Sequence, residues 1–67
     1  MTKQLKERYY LFDEPSRTVY HTTDEDIVED YSYLVFLGSS TNPNIRMAVS
    51  AWARKLPQKS GYSLKEL

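Results

Sequence analysis

The chain contains no cysteine. No disulfide can therefore cross-link it, and no thiolate can ligate a metal or attack a substrate. No segment approaches the roughly 20 consecutive apolar residues that a bilayer-crossing helix needs. Met1 to Arg8 is polar and basic but leads into no secretory apolar core, so the cytoplasm is the expected compartment and no membrane partner is expected. A net charge of zero and a pI near 6.5 remove the overall basic excess that nucleic-acid binders carry. Histidine occurs once, which leaves little material for general-base or metal chemistry. At 67 residues the chain makes one small domain, near the lower limit at which a hydrophobic core holds a fold unaided.

What is present is unevenly spread. Asp13, Glu14, Asp24, Glu25, Asp26, Glu29 and Asp30 crowd one short stretch with only Arg17 among them. From Tyr31 onward the charges are Arg46, Arg54, Lys55, Lys59 and Lys65, against Glu66 alone. The zero sum hides a dipolar molecule whose field orients partners. Tyrosine is the other excess, with six residues, and it is enriched at protein interfaces because a large apolar ring ends in a hydrogen-bonding tip.

Strand formers fill 7–12 and 17–22, and Asp13-Glu14-Pro15-Ser16 between them is turn chemistry. A β-hairpin over 7–22 is expected, with Thr18, Tyr20 and Thr22 on one face and Val19 and His21 on the other. Thr22 to Glu25 has the spacing of a capping box, and acids at 24–26 suit a helix N-terminus, so a short helix is expected over 24–30. Ile27, Tyr31, Leu34 and Val35 would line one face if that helix ran to Leu37 with Gly38 as its cap. The all-apolar run 33–37 instead favours a third strand over 31–37. Asn42-Pro43 then supplies a cap and a first-turn proline. Ile45, Val49, Trp52 and Leu56, widened by Ala48 and Ala53, predict an amphipathic helix over 43–56, ended by Pro57.

The expected fold class is α+β: an N-terminal antiparallel hairpin, extended to three strands by 31–37, packed against a C-terminal amphipathic helix. Residues 1–5 and 58–67 are expected to be flexible ends. The expected core is Tyr9 or Tyr10, Leu11, Val19, Ile27, Leu34, Phe36, Ile45, Val49 and Trp52. With so small a core, self-association through the hairpin edge or surplus tyrosines is an expected assembly.

Several constellations invite a functional reading. The cluster Asp24, Glu25, Asp26, Glu29 and Asp30 lacks the glycine and terminal glutamate of a calcium loop. The helix dipole accounts for acids at its start, and a row of carboxylates also suits docking on a basic protein groove. Gly38-Ser39-Ser40-Thr41-Asn42-Pro43 could hold an anion, but it lacks the lysine and second glycine of a phosphate loop, and turn and cap chemistry suffice. His21 would need a serine or carboxylate beside it in a cleft to act as a base. Lys3, Lys6 and Arg8 lead into Tyr9, Tyr10 and Phe12, a pattern suited to stacking single-stranded bases.

These observations predict a small non-enzymatic interaction module, an inhibitor or regulatory subunit, with no cofactor and no metal. Its protein-binding surface would comprise Asp24, Glu25, Asp26, Glu29, Asp30, Tyr20 and Tyr31, where acids steer the encounter and aromatics supply affinity. The alternative is a nucleic-acid-binding protein using Lys3, Lys6, Arg8, Arg46, Arg54 and Lys55.

Overall fold

A computed structural model describes residues 6–56 and 61–67. Their elements are β1 (Arg8–Asp13), β2 (Thr18–Thr22), α1 (Glu25–Asp30), β3 (Val35–Ser40), α2 (Ile45–Ser50), a 3₁₀ turn (Ala53–Lys55) and β4 (Ser63–Glu66). The strands form one mixed sheet in the order β3-β1-β2-β4, so the class is α+β. No helix among the described residues is long and apolar enough to cross a membrane.

β1 and β2 pair antiparallel, from Tyr9 opposite Thr22 to Asp13 opposite Thr18. At the turn between them, Arg17 takes a positive φ of 53° and its amide donates to the Glu14 carbonyl. The hairpin is the centre of the sheet. β3 covers the free edge of β1, and β4 runs parallel to β2. The hairpin edge expected as a contact between two copies is thus occupied within the chain.

Alternation sends Tyr10 and Phe12, with Val19 and His21 opposite them, to one face of the sheet. There Tyr10, Phe12, Val19, Leu37, Ala48, Val49 and Leu56 form the main core, with Ile45, Trp52, Tyr62 and Leu64 packed against it. Leu11 and Leu34 are buried outside that cluster.

The structure corrects several of the sequence-based expectations. The strand expected at 31–37 begins at Val35 and continues through Gly38 to Ser40, because Leu34 closes a turn by donating to the Tyr31 carbonyl. Its register slips between Tyr10 and Leu11, whose partners are Gly38 and Phe36, so Leu37 is an inserted bulge residue. The bulge buries Leu37 and leaves Phe36 on the opposite face with Leu11, 49% exposed rather than in the core. Ile27 is only partly buried as well, since six-residue α1 buries none of its side chains.

The helix expected over 43–56 is confined to Ile45–Ser50. Its cap is Asn44, whose side chain accepts from the Met47 amide at 3.1 Å, while Asn42 sits one turn earlier and accepts from Asn44 N–H at 2.9 Å. At the other end Ser50 Oγ donates to the Met47 carbonyl, and tighter i→i+3 bonds follow from Trp52 to Val49 and from Lys55 to Trp52. The capping box moves similarly. Thr22 stays in β2 and accepts from the Asp24 amide, and Asp24 caps α1 by accepting from Asp26. Finally, the helix is not the last element. Within the tail expected to be loose, Ser63–Glu66 form β4, tied by Ser63 N–H to the Arg17 carbonyl and Leu67 N–H to the His21 carbonyl. Residues 1–5 and 57–60 lie outside the described residues.

The tightened turn after α2 lays Trp52 across Gly38. A Cβ at position 38 would fall 2.7 Å from Trp52 Cζ2, and the backbone there has φ 151°, a region L side chains rarely adopt. Gly38→Ala should therefore cost about 1–3 kcal/mol. Gly61→Ala, where a Cβ meets nothing within 4 Å among the described residues, should stay within about 0.5 kcal/mol of the parent. Urea unfolding of both variants checks the pair, and equal midpoints would contradict it. Tyr10 is fully buried, and its hydroxyl has no hydrogen-bond partner among the described residues. An orphaned buried hydroxyl keeps its desolvation penalty, so Tyr10→Phe should raise stability by about 1 kcal/mol in the same measurement.

Candidate functional site

On the sheet face opposite the main core, an open groove of ≈ 420 Å³ lies between α1 and strands β1 and β3. It is lined by Tyr9, Glu25, Asp26, Val28, Glu29 and Phe36. Each lining residue has a local cause. Strand alternation turns Tyr9 away from Tyr10 and the core. The β3 bulge turns Phe36 to the same side. Asp24, by taking over the cap, frees Glu25 from the expected box, and the Tyr9 hydroxyl donates to Glu25 Oε2 at 3.4 Å. Glu7 stands close by, held through Ser39 Oγ donating to its Oε2 at 2.6 Å. Desolvation, then the negative charges of Glu25 and Glu7, push the Tyr9 hydroxyl above its ordinary pKa, so the phenol stays neutral.

The helix dipole accounts for only part of this acidity. Glu25 and Asp26 lie in the first turn of α1, where negative charge is favoured. Glu29 and Asp30 lie at its other end, where the dipole opposes them and no basic residue compensates. Among the described residues the one ion pair is Arg8 with Glu66, so no described cation pairs with an α1 carboxylate. No three His, Asp or Glu side chains among the described residues converge as metal ligands.

Of the residues expected in a protein-binding surface, Glu25, Asp26 and Glu29 come together in the groove. Asp24 is spent on the cap, and Asp30 is exposed but outside the lining. Tyr20 shares the groove's face through its pairing with Leu11, two strands from Phe36, and does not line it. Tyr31 instead packs at 5.9 Å against Tyr33, which is 76% exposed just before β3. Tyr9, Val28 and Phe36 were missed as site residues. Tyr9 could have been found by alternation, but no local signal announces a bulge.

The expected basic set is scattered. Lys3 lies outside the described residues, and Lys6, Arg46 and Arg54 are exposed on separate elements. Arg8 is engaged by His21 and Glu66, and Lys55 Nζ donates to the Leu37 carbonyl at 3.0 Å. The 38–43 segment commits polar groups to strand pairing, to Glu7 and to the turn that leads into α2. Gly38–Ser40 are strand, Ser40 Oγ accepts from Asn42 N–H, and Asn42 accepts from Asn44.

His21 is buried beside Tyr10, at 6.0 Å between rings, and lines no part of the groove. Arg8 Nη1 donates to its Nδ1 at 3.0 Å, which puts the neutral ring's proton on Nε2. Burial first, and then the Arg8 charge, push the imidazole below its ordinary pKa, against a smaller upward pull from Glu66. In the window between that lowered value and the unfolded value of about 6.5, the unfolded chain binds more protons than the folded one. Stability should therefore fall as pH drops through this window. Thermal unfolding at about pH 7.5 and about pH 5.5 should show a lower midpoint in acid, and His21→Phe should flatten the difference. An undiminished difference in that variant would place its origin elsewhere.

The sequence matches no protein-family model, and no curated protein or solved structure matches it either.

Proposed function

We propose that this chain is a small non-enzymatic interaction module, an inhibitor or regulatory subunit, which docks a protein partner on the face shared by α1, β1 and β3. The observation that carries the reading is the groove itself. Half-exposed Phe36 with partly buried Tyr9 and Val28 forms its apolar part, and Glu25, Asp26 and Glu29, which pair with no cation among the described residues, stand beside them. Apolar surface of that kind supplies affinity when covered, while the charges steer the approach. Glu29 and Asp30 support the reading further, because they sit where helix stability disfavours them. Tyr31 and Tyr33, whose rings meet at a tilted angle, extend the aromatic surface toward the start of β3. The nucleic-acid alternative has no comparable observation in its favour, since its cations are dispersed and two of them are engaged internally.

The test is reversal of Glu25, Asp26, Glu29 and Asp30 to lysine, with Glu14→Lys at the hairpin turn as the control. In affinity capture from host lysate, a protein retained by the parent and by the control should be lost by the fourfold variant. Circular dichroism would establish that the variant is folded. Undiminished retention by the folded variant would remove this face from the interaction.

A further inference from the structure

The chemistry of the same groove specifies what kind of side chain enters it, and the inference that follows rests on the interaction reading above. The lining combines two rings, the partly buried Tyr9 and the half-exposed Phe36, with three carboxylates on the adjacent helix. Glu7 adds a fourth carboxylate beside Tyr9. The volume of ≈ 420 Å³ lies toward the lower end of the roughly 300–1,000 Å³ typical of ligand pockets. Among the described residues no cation answers these charges.

Three classes of occupant can be weighed against that lining. A phosphate-bearing polymer would meet concentrated like charge. A second copy of this chain, groove to groove, would bring two sets of unpaired carboxylates together, which is costly at an interface. Strand addition along β3 is obstructed at mid-strand by the Leu37 bulge, whose carbonyl is already taken by Lys55 Nζ, a combination that protects sheet edges. A cationic side chain on a flexible stem meets none of these obstacles. Arginine suits the lining better than lysine, because its planar guanidinium stacks on rings and presents paired donors to carboxylates together.

We propose that the groove between α1 and β1–β3 receives an arginine side chain from a basic segment of the partner protein, stacked on Tyr9 and Phe36 and paired with Glu25 and Glu29. Val28 and the aliphatic part of the arginine stem meet on the apolar portion of the lining. Asp26 and Glu7 contribute field rather than direct pairing. The site selects arginine over an uncharged side chain of the same shape, and over lysine by stacking.

The experiment is a titration of the isotope-labelled full chain, followed by amide chemical shifts. The probes are the acetylated, amidated pentapeptide Gly-Arg-Ala-Arg-Gly and its lysine and citrulline counterparts. The arginine peptide should shift the amides of Tyr9, Glu25, Val28, Glu29 and Phe36 together, with weaker effects from lysine and none from citrulline. Phe36→Ala, half exposed and so tolerated by the fold, should weaken arginine binding about threefold, the loss of one exposed cation–π contact. Glu25→Gln with Glu29→Gln should abolish localised shifts, and Tyr33→Ala outside the groove should leave them unchanged. Absence of groove shifts up to roughly 10 mM peptide, where millimolar affinity would register, overturns the inference. Equal response to citrulline, or shifts spread over the whole surface, does so too. A captured partner that depends on the acids, combined with a silent arginine titration, would leave the interaction reading standing and remove only the arginine.

Discussion

Trp52 resting on Gly38 is the contact from which the rest of the molecule takes its arrangement. The indole comes closer to the β3 backbone than any side chain at 38 would permit, and it also lies 5.2 Å from the Tyr10 ring. One aromatic thereby joins the edge strand, the central strand and the turn after α2. The approach depends on glycine at 38, on the Leu37 bulge that sets the strand's register, and on the 3₁₀ turn that brings Trp52 down to the sheet. In a domain this small, whose stability margin is a few kcal/mol, one such junction carries a large share of the fold.

The same bulge decides what the other face offers. It buries Leu37 and turns Phe36 outward, so an aromatic that composition assigns to the core becomes the apolar part of an acidic groove. Electrostatics follow the topology. At one end of the sheet Arg8, His21 and Glu66 meet across β1, β2 and β4, and a cation is consumed there by its neighbours. On the α1 side no described cation answers the carboxylates. A sequence with balanced charge thus carries, among the described residues, carboxylates on one face that no described cation pairs with.

Different parts of this structure were legible in the sequence to different degrees, for physical reasons. The strands at 8–13 and 18–22 lie close to the ranges given by their strand-forming composition and the Pro15 turn, because hairpins are governed by adjacent residues. Helix starts were legible to within two residues. Thr22 and Asn42 do bond the following backbone, but they accept from the amides of Asp24 and Asn44 ahead of the helices, while Asp24 and Asn44 accept from Asp26 and Met47 within them and so hold the caps. The C-terminal strand was not legible. Ser63–Glu66 has little strand character of its own and is ordered by parallel pairing with β2, each residue meeting one 45 positions earlier in the chain. Helix periodicity over 45–56 was real, but Trp52 and Leu56 reach the core from a tightened turn rather than from a continuous helix.

By itself, the amino-acid order determined the class of secondary structure, the central strands, the absence of thiol chemistry and the segregation of charge. These rest on local propensity and composition, which need no partner distant in the chain. Only the tertiary structure decided which aromatics are buried, which carboxylates share a groove, which cations are engaged and where the last strand docks. Each of those depends on register and on contacts between distant residues, and a single inserted residue at Leu37 is enough to exchange the inside of a strand for its outside.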